Sequence, residues 1–178
     1  MKKKFDNKKT ISLLVFVIVL LLAIIIDLVT KHYIIGIDKP VISGFFKFEY
    51  AENTGAAWSI FSGSTVALSI VSVFAIILLS IYTIFAKTKS LFFHISLGMI
   101  VGGACGNLFD RIVFGYVRDF IKLEFVKFPI FNIADSFLTI GIILLCVYYL
   151  IDLIVAIKKN KKERKWTLKF QKKILGKG

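Results

Sequence analysis

Four long apolar runs, separated by charged clusters, constrain this 178-residue chain more than any other feature. A run of about 18 or more apolar residues is long enough to cross a bilayer as a helix. We place the runs at Ile11 to Ile26, about Val66 to Ala86, about Leu91 to Val113 and about Asn132 to Ile157. The sequence therefore predicts an α-helical membrane protein with four transmembrane helices.

The first run resembles a secretory signal because it follows a lysine-rich start. It leads into Asp27 without a small-residue cleavage site, and three further runs follow it. We therefore expect it to remain as the first membrane helix.

The positions of the basic residues predict the orientation in the membrane. The net charge of +13 would suggest nucleic acid binding in a soluble protein, but 57% of these residues are hydrophobic and the basic residues cluster at the ends of apolar runs. Five of the 24 Lys and Arg residues lie in the first nine positions, two are Lys87 and Lys89 in one short loop, and ten follow Ala156. By the positive-inside rule, these regions are cytoplasmic. We expect a multi-pass protein of the cell membrane with both termini in the cytoplasm and no nucleic acid partner.

The chain divides into a membrane domain, residues 1–157, and a basic cytoplasmic tail, residues 158–178. Trp166, Phe170 and Ile174 recur at intervals of four within the tail. That spacing fits an amphipathic helix on the anionic cytoplasmic leaflet. A disordered basic tail is the alternative.

The loop from Gly36 to Ser64 is expected to form a small extracytoplasmic β-rich platform. Aromatic and charged residues alternate from Phe46 to Tyr50, which is the period of a strand. A second short strand is predicted from Val117 to Phe125. Aromatic side chains of the loop, including Trp58 and Phe61, suit the lipid interface.

Polar residues of three predicted helices fall at one depth. Asp27 lies sixteen residues beyond Ile11, about 24 Å along the first helix, close to the outer face. The outward-running third helix brings polar residues to the same level near its end, and the fourth helix does so in its opening turns. These residues are Asn107, Asp110, Arg111, Asn132 and Asp135. The layer fits either a functional site or interfacial solvation with structural ion pairs, such as Asp27 with Lys31 or Asp110 with Arg111.

Cysteine and histidine residues do not form a metal-binding pattern. Cys105 and Cys146 lie apart within apolar runs, and His32 and His94 are isolated. We interpret the cysteines as packing residues and predict neither a metal nor another cofactor.

Five ordered motifs carry a family resemblance. They are Asp27-Leu28-Val29-Thr30-Lys31, Asn53-Thr54-Gly55-Ala56-Ala57-Trp58, Gly106-Asn107-Leu108-Phe109-Asp110-Arg111, Val117-Arg118-Asp119-Phe120 and Phe131-Asn132-Ile133-Ala134-Asp135-Ser136. Together they resemble the lipoprotein signal peptidase (signal peptidase II) family over roughly Asp27 to Gly141. Five motifs in this order are far more specific than any one of them.

The resemblance implies an intramembrane aspartic protease whose catalytic pair is Asp119 and Asp135. Two close carboxylates that share one proton can activate a water molecule and protonate the departing group. One aspartate must then be ionised and the other neutral. Without the motif, Asp119 would be read as a solvated loop residue.

The resemblance also assigns supporting roles near this pair. Asn132 would orient the two aspartates, and Asn53 with Gly55 would contact the substrate backbone. Asn107 and Arg111 would give polar support or substrate contacts. The residues Asp27, Lys31 and Asp110 would be structural.

Two residues depart from the family pattern. Leu28 replaces a glutamine, and Arg118 replaces an apolar residue beside Asp119. Neither change removes a catalytic group, but Arg118 puts the local charge balance in question.

The implied substrate is a prolipoprotein whose signal peptide crosses the membrane and whose cysteine carries a diacylglyceryl group. Cleavage would occur just before that cysteine, and Ala56 and Ala57 would leave room for it. We expect the enzyme to act as a monomer in contact with membrane lipids. The alternatives are a small transporter with proton-relaying aspartates, a scaffold without chemistry and a membrane serine protease.

Overall fold

The fold was obtained as a computed structural model that describes residues 7–34, 36–55 and 64–176, without the side chains of residues 172–175. Its elements, in chain order, are α1 (Asn7–Ile34), β1 (Lys39–Ile42), β2 (Phe46–Asn53), α2 (Thr65–Phe85), α3 (Leu91–Phe114), β3 (Val117–Leu123) and α4 (Ile133–Leu175). Several positions discussed above lie outside the described residues or side chains: Ala56, Ala57, Trp58, Phe61 and the side chain of Ile174.

The four predicted membrane helices are confirmed. Each of the four helices is long and apolar enough to cross a membrane, so the chain is a multi-pass membrane protein. Helix α1 continues eight residues beyond the end of the apolar run at Ile26, and Asp27 and Lys31 are buried within it.

Helix α3 is the centre of the bundle and contacts the other three helices. Its glycines allow close approach. A Cβ atom on Gly102 would lie 2.7 Å from the Cβ of Ala23 in α1, and one on Gly103 would lie 2.5 Å from the carbonyl oxygen of Ala134 in α4. Small residues bring membrane helices together in this way because lipid offers no hydrophobic driving force between them. The same helix contributes Phe93, Leu97 and Val101 to the buried apolar cluster of the bundle.

A three-stranded antiparallel sheet in the order β1-β2-β3 lies at one end of the bundle. We call this end, where α1 and α3 finish and α4 begins, the sheet end. The predicted β-rich unit is confirmed as a sheet, with three differences in detail. Strand β2 extends through Asn53, β3 ends at Leu123 instead of Phe125, and β1 was not predicted. The sequence of Lys39–Ile42 does not alternate between polar and apolar residues, so it did not indicate a strand. All four residues are exposed.

Helix α4 continues past the membrane span into the basic tail as one helix to Leu175. The rings of Trp166 and Phe170 are exposed and stack with centroids 5.3 Å apart. Contact of this segment with the cytoplasmic leaflet stays a prediction.

Candidate active site

Asp119 reaches the sheet end of the bundle through the turn that follows α3. Gly115 ends the helix in the left-handed conformation, at φ 82°, and its N–H donates to the carbonyl of Arg111. A residue without a Cβ adopts this conformation at little cost. The chain then enters β3, where Asp119 lies opposite Ala51 of β2. Asp119 is only 2% exposed.

Asp135 occupies the first turn of α4 in a reciprocal cap with Asn132. The backbone N–H of Asp135 donates to Asn132 Oδ1 at 2.9 Å, and the N–H of Asn132 donates to Asp135 Oδ2 at 3.2 Å. This is the geometry of a capping box, with Asn and Asp in place of the usual Ser or Thr and Glu. The helix N-terminus also favours a negative charge at this position.

The side-chain amide of Asn132 joins the two aspartates. Its Nδ2 donates to Asp119 Oδ1 at 2.7 Å, while its backbone N–H is bound to Asp135. Each carboxylate has a second amide donor. Asn53 Nδ2 lies 2.8 Å from Asp119 Oδ2, and Asn107 Nδ2 lies 2.7 Å from Asp135 Oδ1. The structure therefore brings together Asp119, Asp135 and all three predicted asparagines.

The orientation of Asn53 is fixed by its own turn. Gly55 N–H donates to Asn53 Oδ1 at 2.9 Å, which leaves the amide nitrogen to face Asp119. Arg111 approaches the same turn, with its guanidinium 3.4 Å from the carbonyl oxygen of Gly55. Gly55 and Arg111 therefore lie at the site but bond to each other and not to either aspartate.

Burial raises the pKa of Asp119 to about 7, and the negative charge of Asp135 adds to the rise. Hydrogen bonds from Asn53 and Asn132 and the charge of Lys31 oppose it. Near neutral pH, Asp119 therefore exchanges a proton readily beside a second carboxylate. This behaviour is typical of acid-base pairs in enzymes.

A buried ion cluster lies next to the pair. The predicted pair of Asp27 and Lys31 is present, with Nζ and Oδ2 2.7 Å apart. The predicted pairing of Asp110 with Arg111 is not found in the described structure: Asp110 pairs with Lys31 at 3.1 Å and with Arg118 at 2.7 Å. The chain reversal after α3 explains this difference, because it brings β3 back against the end of the helix.

The positive charge of Arg118 is balanced by Asp110, to which its side chain binds. Its side chain makes three hydrogen bonds to that carboxylate and lies over the ring of Phe114. Neighbouring side chains in a strand point to opposite faces, so Arg118 and Asp119 diverge.

A cavity of about 1030 Å³ opens beside the two aspartates. Its polar wall includes Asn53, Asn107, Arg111 and both carboxylates. Its apolar wall was not identified from the sequence, and most of it comes from α4 and the loop before it: Phe128, Pro129, Ile130, Phe131, Leu138 and Ile140. Phe131 belongs to one of the five motifs, but the others resemble any other apolar stretch, and nothing in the sequence indicated that they form a wall.

The arrangement suits hydrolysis by two carboxylates, with apolar space for a lipid-bearing or apolar ligand next to a polar wall. Within the part of the chain that the structure describes, no three His, Cys, Asp or Glu side chains are grouped as metal ligands.

Comparison with known proteins gives consistent matches. Residues 19–151 match the family model described as signal peptidase (SPase) II. The lipoprotein signal peptidase of Lactobacillus johnsonii is 43% identical and aligns over 75% of this chain and 90% of its own length. That of Clostridium acetobutylicum is 35% identical over 84% and 98%. A bacterial membrane enzyme solved by the in meso method at 2.3 Å is 36% identical, with a TM-score of 0.73 over 78% of this chain and 88% of that one.

Proposed function

Since this chain belongs to the signal peptidase (SPase) II family, we propose that it removes signal peptides from prolipoproteins with Asp119 and Asp135 as its catalytic pair. It is an aspartic peptidase of the membrane. Membership of the family favours this function over the transporter, scaffold and serine protease alternatives.

The observation that carries the proposal is the sharing of Asn132 between the two carboxylates. Its side-chain amide binds Asp119 at 2.7 Å and its backbone N–H binds Asp135 at 3.2 Å. One residue thereby holds two acids from different elements at the wall of one cavity. A structural ion-pair layer would have no need to bring two carboxylates together without a cation between them, because their repulsion costs free energy.

Asp135 is the base in this proposal and Asp119 is the acid. The first turn of α4 favours an ionised Asp135, while burial and the charge of Asp135 hold the pKa of Asp119 at about 7. Asp135 takes a proton from water as the water oxygen bonds to the scissile carbonyl carbon, and Asp119 gives its proton to the carbonyl oxygen. The tetrahedral intermediate then breaks its C–N bond. The nitrogen leaves with the proton from Asp135, and a hydroxyl proton of the intermediate returns to Asp119.

The substrate in this proposal is a prolipoprotein with a diacylglyceryl group on its cysteine, cleaved just before that cysteine. The apolar wall formed by residues such as Phe128 and Leu138 supports this assignment, because it adjoins the aspartates. Asn53 and Gly55 occupy the polar rim of the cavity, where they are suited to contact the substrate backbone.

The proposed membrane orientation places the sheet end outside and both termini in the cytoplasm of the bacterial cell. The clustering of basic residues before α1, between α2 and α3 and along the end of α4 supports this orientation. The lipid chains of the substrate can then stay in the outer leaflet while the peptide bond meets the aspartates. The proposed working unit is a monomer.

The test is cleavage of a diacylglyceryl-modified prolipoprotein by purified Asp119→Asn and Asp135→Asn variants. Both should lose activity while they keep the thermal stability of the unchanged enzyme in detergent. Asp152→Asn serves as the matched control, because it changes an exposed aspartate on the same helix as Asp135. Full activity in either site variant would contradict the catalytic pair. Failure of the unchanged enzyme to cleave would contradict the function itself.

A further inference from the structure

The ammonium group of Lys31 is completely buried, and an acceptor lies within reach of each of its three protons. They are Asp27 Oδ2 at 2.7 Å, Asp110 Oδ2 at 3.1 Å and Asn107 Oδ1 at 3.1 Å. A lysine ammonium has three donors and no acceptor, so its hydrogen bonding is complete. The third contact distinguishes this group from a simple ion pair, because it goes to a neutral residue that binds Asp135.

The charges of the buried ion cluster balance one another without any charge from Asp119 or Asp135. Lys31 and Arg118 face Asp27 and Asp110, which gives two cations and two anions. Asp27 also accepts from the backbone N–H of Ala134 at 2.9 Å and so fastens α1 to the first turn of α4. Charge neutralisation therefore does not account for the hydrogen bond from Lys31 to Asn107.

Asn107 is held in one orientation by donors on one side and an acceptor on the other. Its Oδ1 accepts from Lys31 at 3.1 Å and from Asn132 Nδ2 at 3.0 Å. Its Nδ2 donates to Asp135 Oδ1 at 2.7 Å. A flipped amide would turn its N–H groups towards the ammonium and its carbonyl towards a carboxylate. Both contacts would be repulsive, so the charge of Lys31 selects the orientation that serves Asp135.

We infer that Lys31 is a positioning residue for peptide hydrolysis, which acts through Asn107 to hold the Asp135 carboxylate and supplies positive charge behind the catalytic pair. This inference rests on the proposed function. Lys31 does not line the cavity and is fully buried, so it acts on the carboxylates and not on the substrate.

Several other charged groups surround the pair. Helix α1 contributes Asp27, α3 contributes Asp110 and Arg111, β3 contributes Arg118, and Glu52 of β2 lines the cavity. Helix α2 has no Asp, Glu, Lys or Arg. The positive charges of Lys31 and Arg111 both act on Asp135 at short range, without a direct bond. Removal of Lys31 therefore takes away a substantial part of the positive charge near the site.

The decisive variant combines Lys31→Met with Asp27→Asn. It keeps the cluster balanced, because Asp110 still pairs with Arg118, and an asparagine oxygen at position 27 can still accept from Ala134. Asp27→Asn alone is the matched control, so the difference between the two variants isolates the ammonium.

Relative to that control, we expect kcat to fall about 10- to 100-fold with KM unchanged, as for loss of a hydrogen-bond network to a charged group. The alkaline limb of the pH profile should also move to higher pH. The reason is that Lys31 lowers the pKa of Asp119, so its removal lets that pKa rise. If Lys31 were purely structural, its removal would change the amount of folded enzyme and leave the pH profile of kcat in place.

A second comparison tests the route through Asn107. In an Asn107→Leu background, Lys31→Met with Asp27→Asn should cost little further kcat, because coupled residues are not additive. Unchanged kcat and pH profile in the balanced variant would overturn the inference, as would its failure to fold, since either result would leave Lys31 a structural residue. These outcomes are separate from the proposed function, which fails only if the unchanged enzyme does not cleave or does not need its aspartates.

Discussion

Asn132 and Asp135 cap the first turn of α4 reciprocally. The backbone nitrogen of Asp135 lies 2.9 Å from Asn132 Oδ1, and that of Asn132 lies 3.2 Å from Asp135 Oδ2. The cap uses the Oδ1 atom of Asn132 and leaves its Nδ2 group to bind Asp119 at 2.7 Å. The residue that caps the helix is therefore also the residue that links the two carboxylates. Helix stability and active-site geometry depend on different atoms of the same side chain, so substitutions can separate them.

Asn132→Ser should keep most of the stability and lose most of the activity. A serine hydroxyl still accepts from the N–H of Asp135, but it lacks the amide that spans to Asp119. We expect kcat to fall about 10- to 100-fold, in line with loss of a hydrogen bond to a charged group. Asn132→Ala is the comparison: it should lose the same activity and a further ~1 kcal/mol of stability through loss of the cap. Equal melting temperatures for the two variants would contradict this division of roles.

The activity should decline as the pH rises above about 7. Asp119 must be protonated to act as the acid, and its pKa is raised to about 7 by burial and by the charge of Asp135. Deprotonation therefore removes the acid at higher pH, while a solvated aspartate would have lost its proton near pH 4. The measurement is kcat with a lipid-modified prolipoprotein between about pH 5 and pH 9. Constant activity to the upper limit would rule out Asp119 as the acid.

Gly106→Ala should destabilise the enzyme through a clash with Asp27. The added Cβ would lie 2.4 Å from Asp27 Oδ2, and that carboxylate is fixed by Lys31 and Ala134. Overpacking at such a site costs about 1–3 kcal/mol, so the melting temperature in detergent should fall. Ile112→Val is the control on the same helix, since the side chain of Ile112 lies on the outer surface of the bundle and is 70% exposed. An unchanged melting temperature for Gly106→Ala would show that Asp27 can move.

Tags at both termini should stay inaccessible to membrane-impermeant reagents in intact cells. The expectation follows from the ten basic residues after Ala156 and the five in the first nine positions, which the positive-inside rule assigns to the cytoplasm. The substitution Asp38→Cys, in the exposed segment before β1, gives the matched external probe. Labelling of a terminal tag would overturn the proposed orientation.

The sequence determined the membrane helices and the identity of the polar residues at the sheet end. Long apolar runs have one stable solution in lipid, because backbone groups must bond within the segment. The close approach of α3 to α1 was not predicted, although the glycines that allow it, Gly98, Gly102 and Gly106, recur every four residues. The reciprocal cap of Asn132 and Asp135 was not predicted, although both residues stand in one of the five motifs.

Only the tertiary structure decided which polar groups bind each other. Asp110 lies next to Arg111 in sequence but binds Lys31 and Arg118 instead, because the turn at Gly115 brings β3 back against α3. The link from Lys31 through Asn107 to Asp135 spans α1, α3 and α4, and sequence periodicity describes a single helix at a time. Contacts of this kind depend on how separate helices rotate and approach, and packing fixes both.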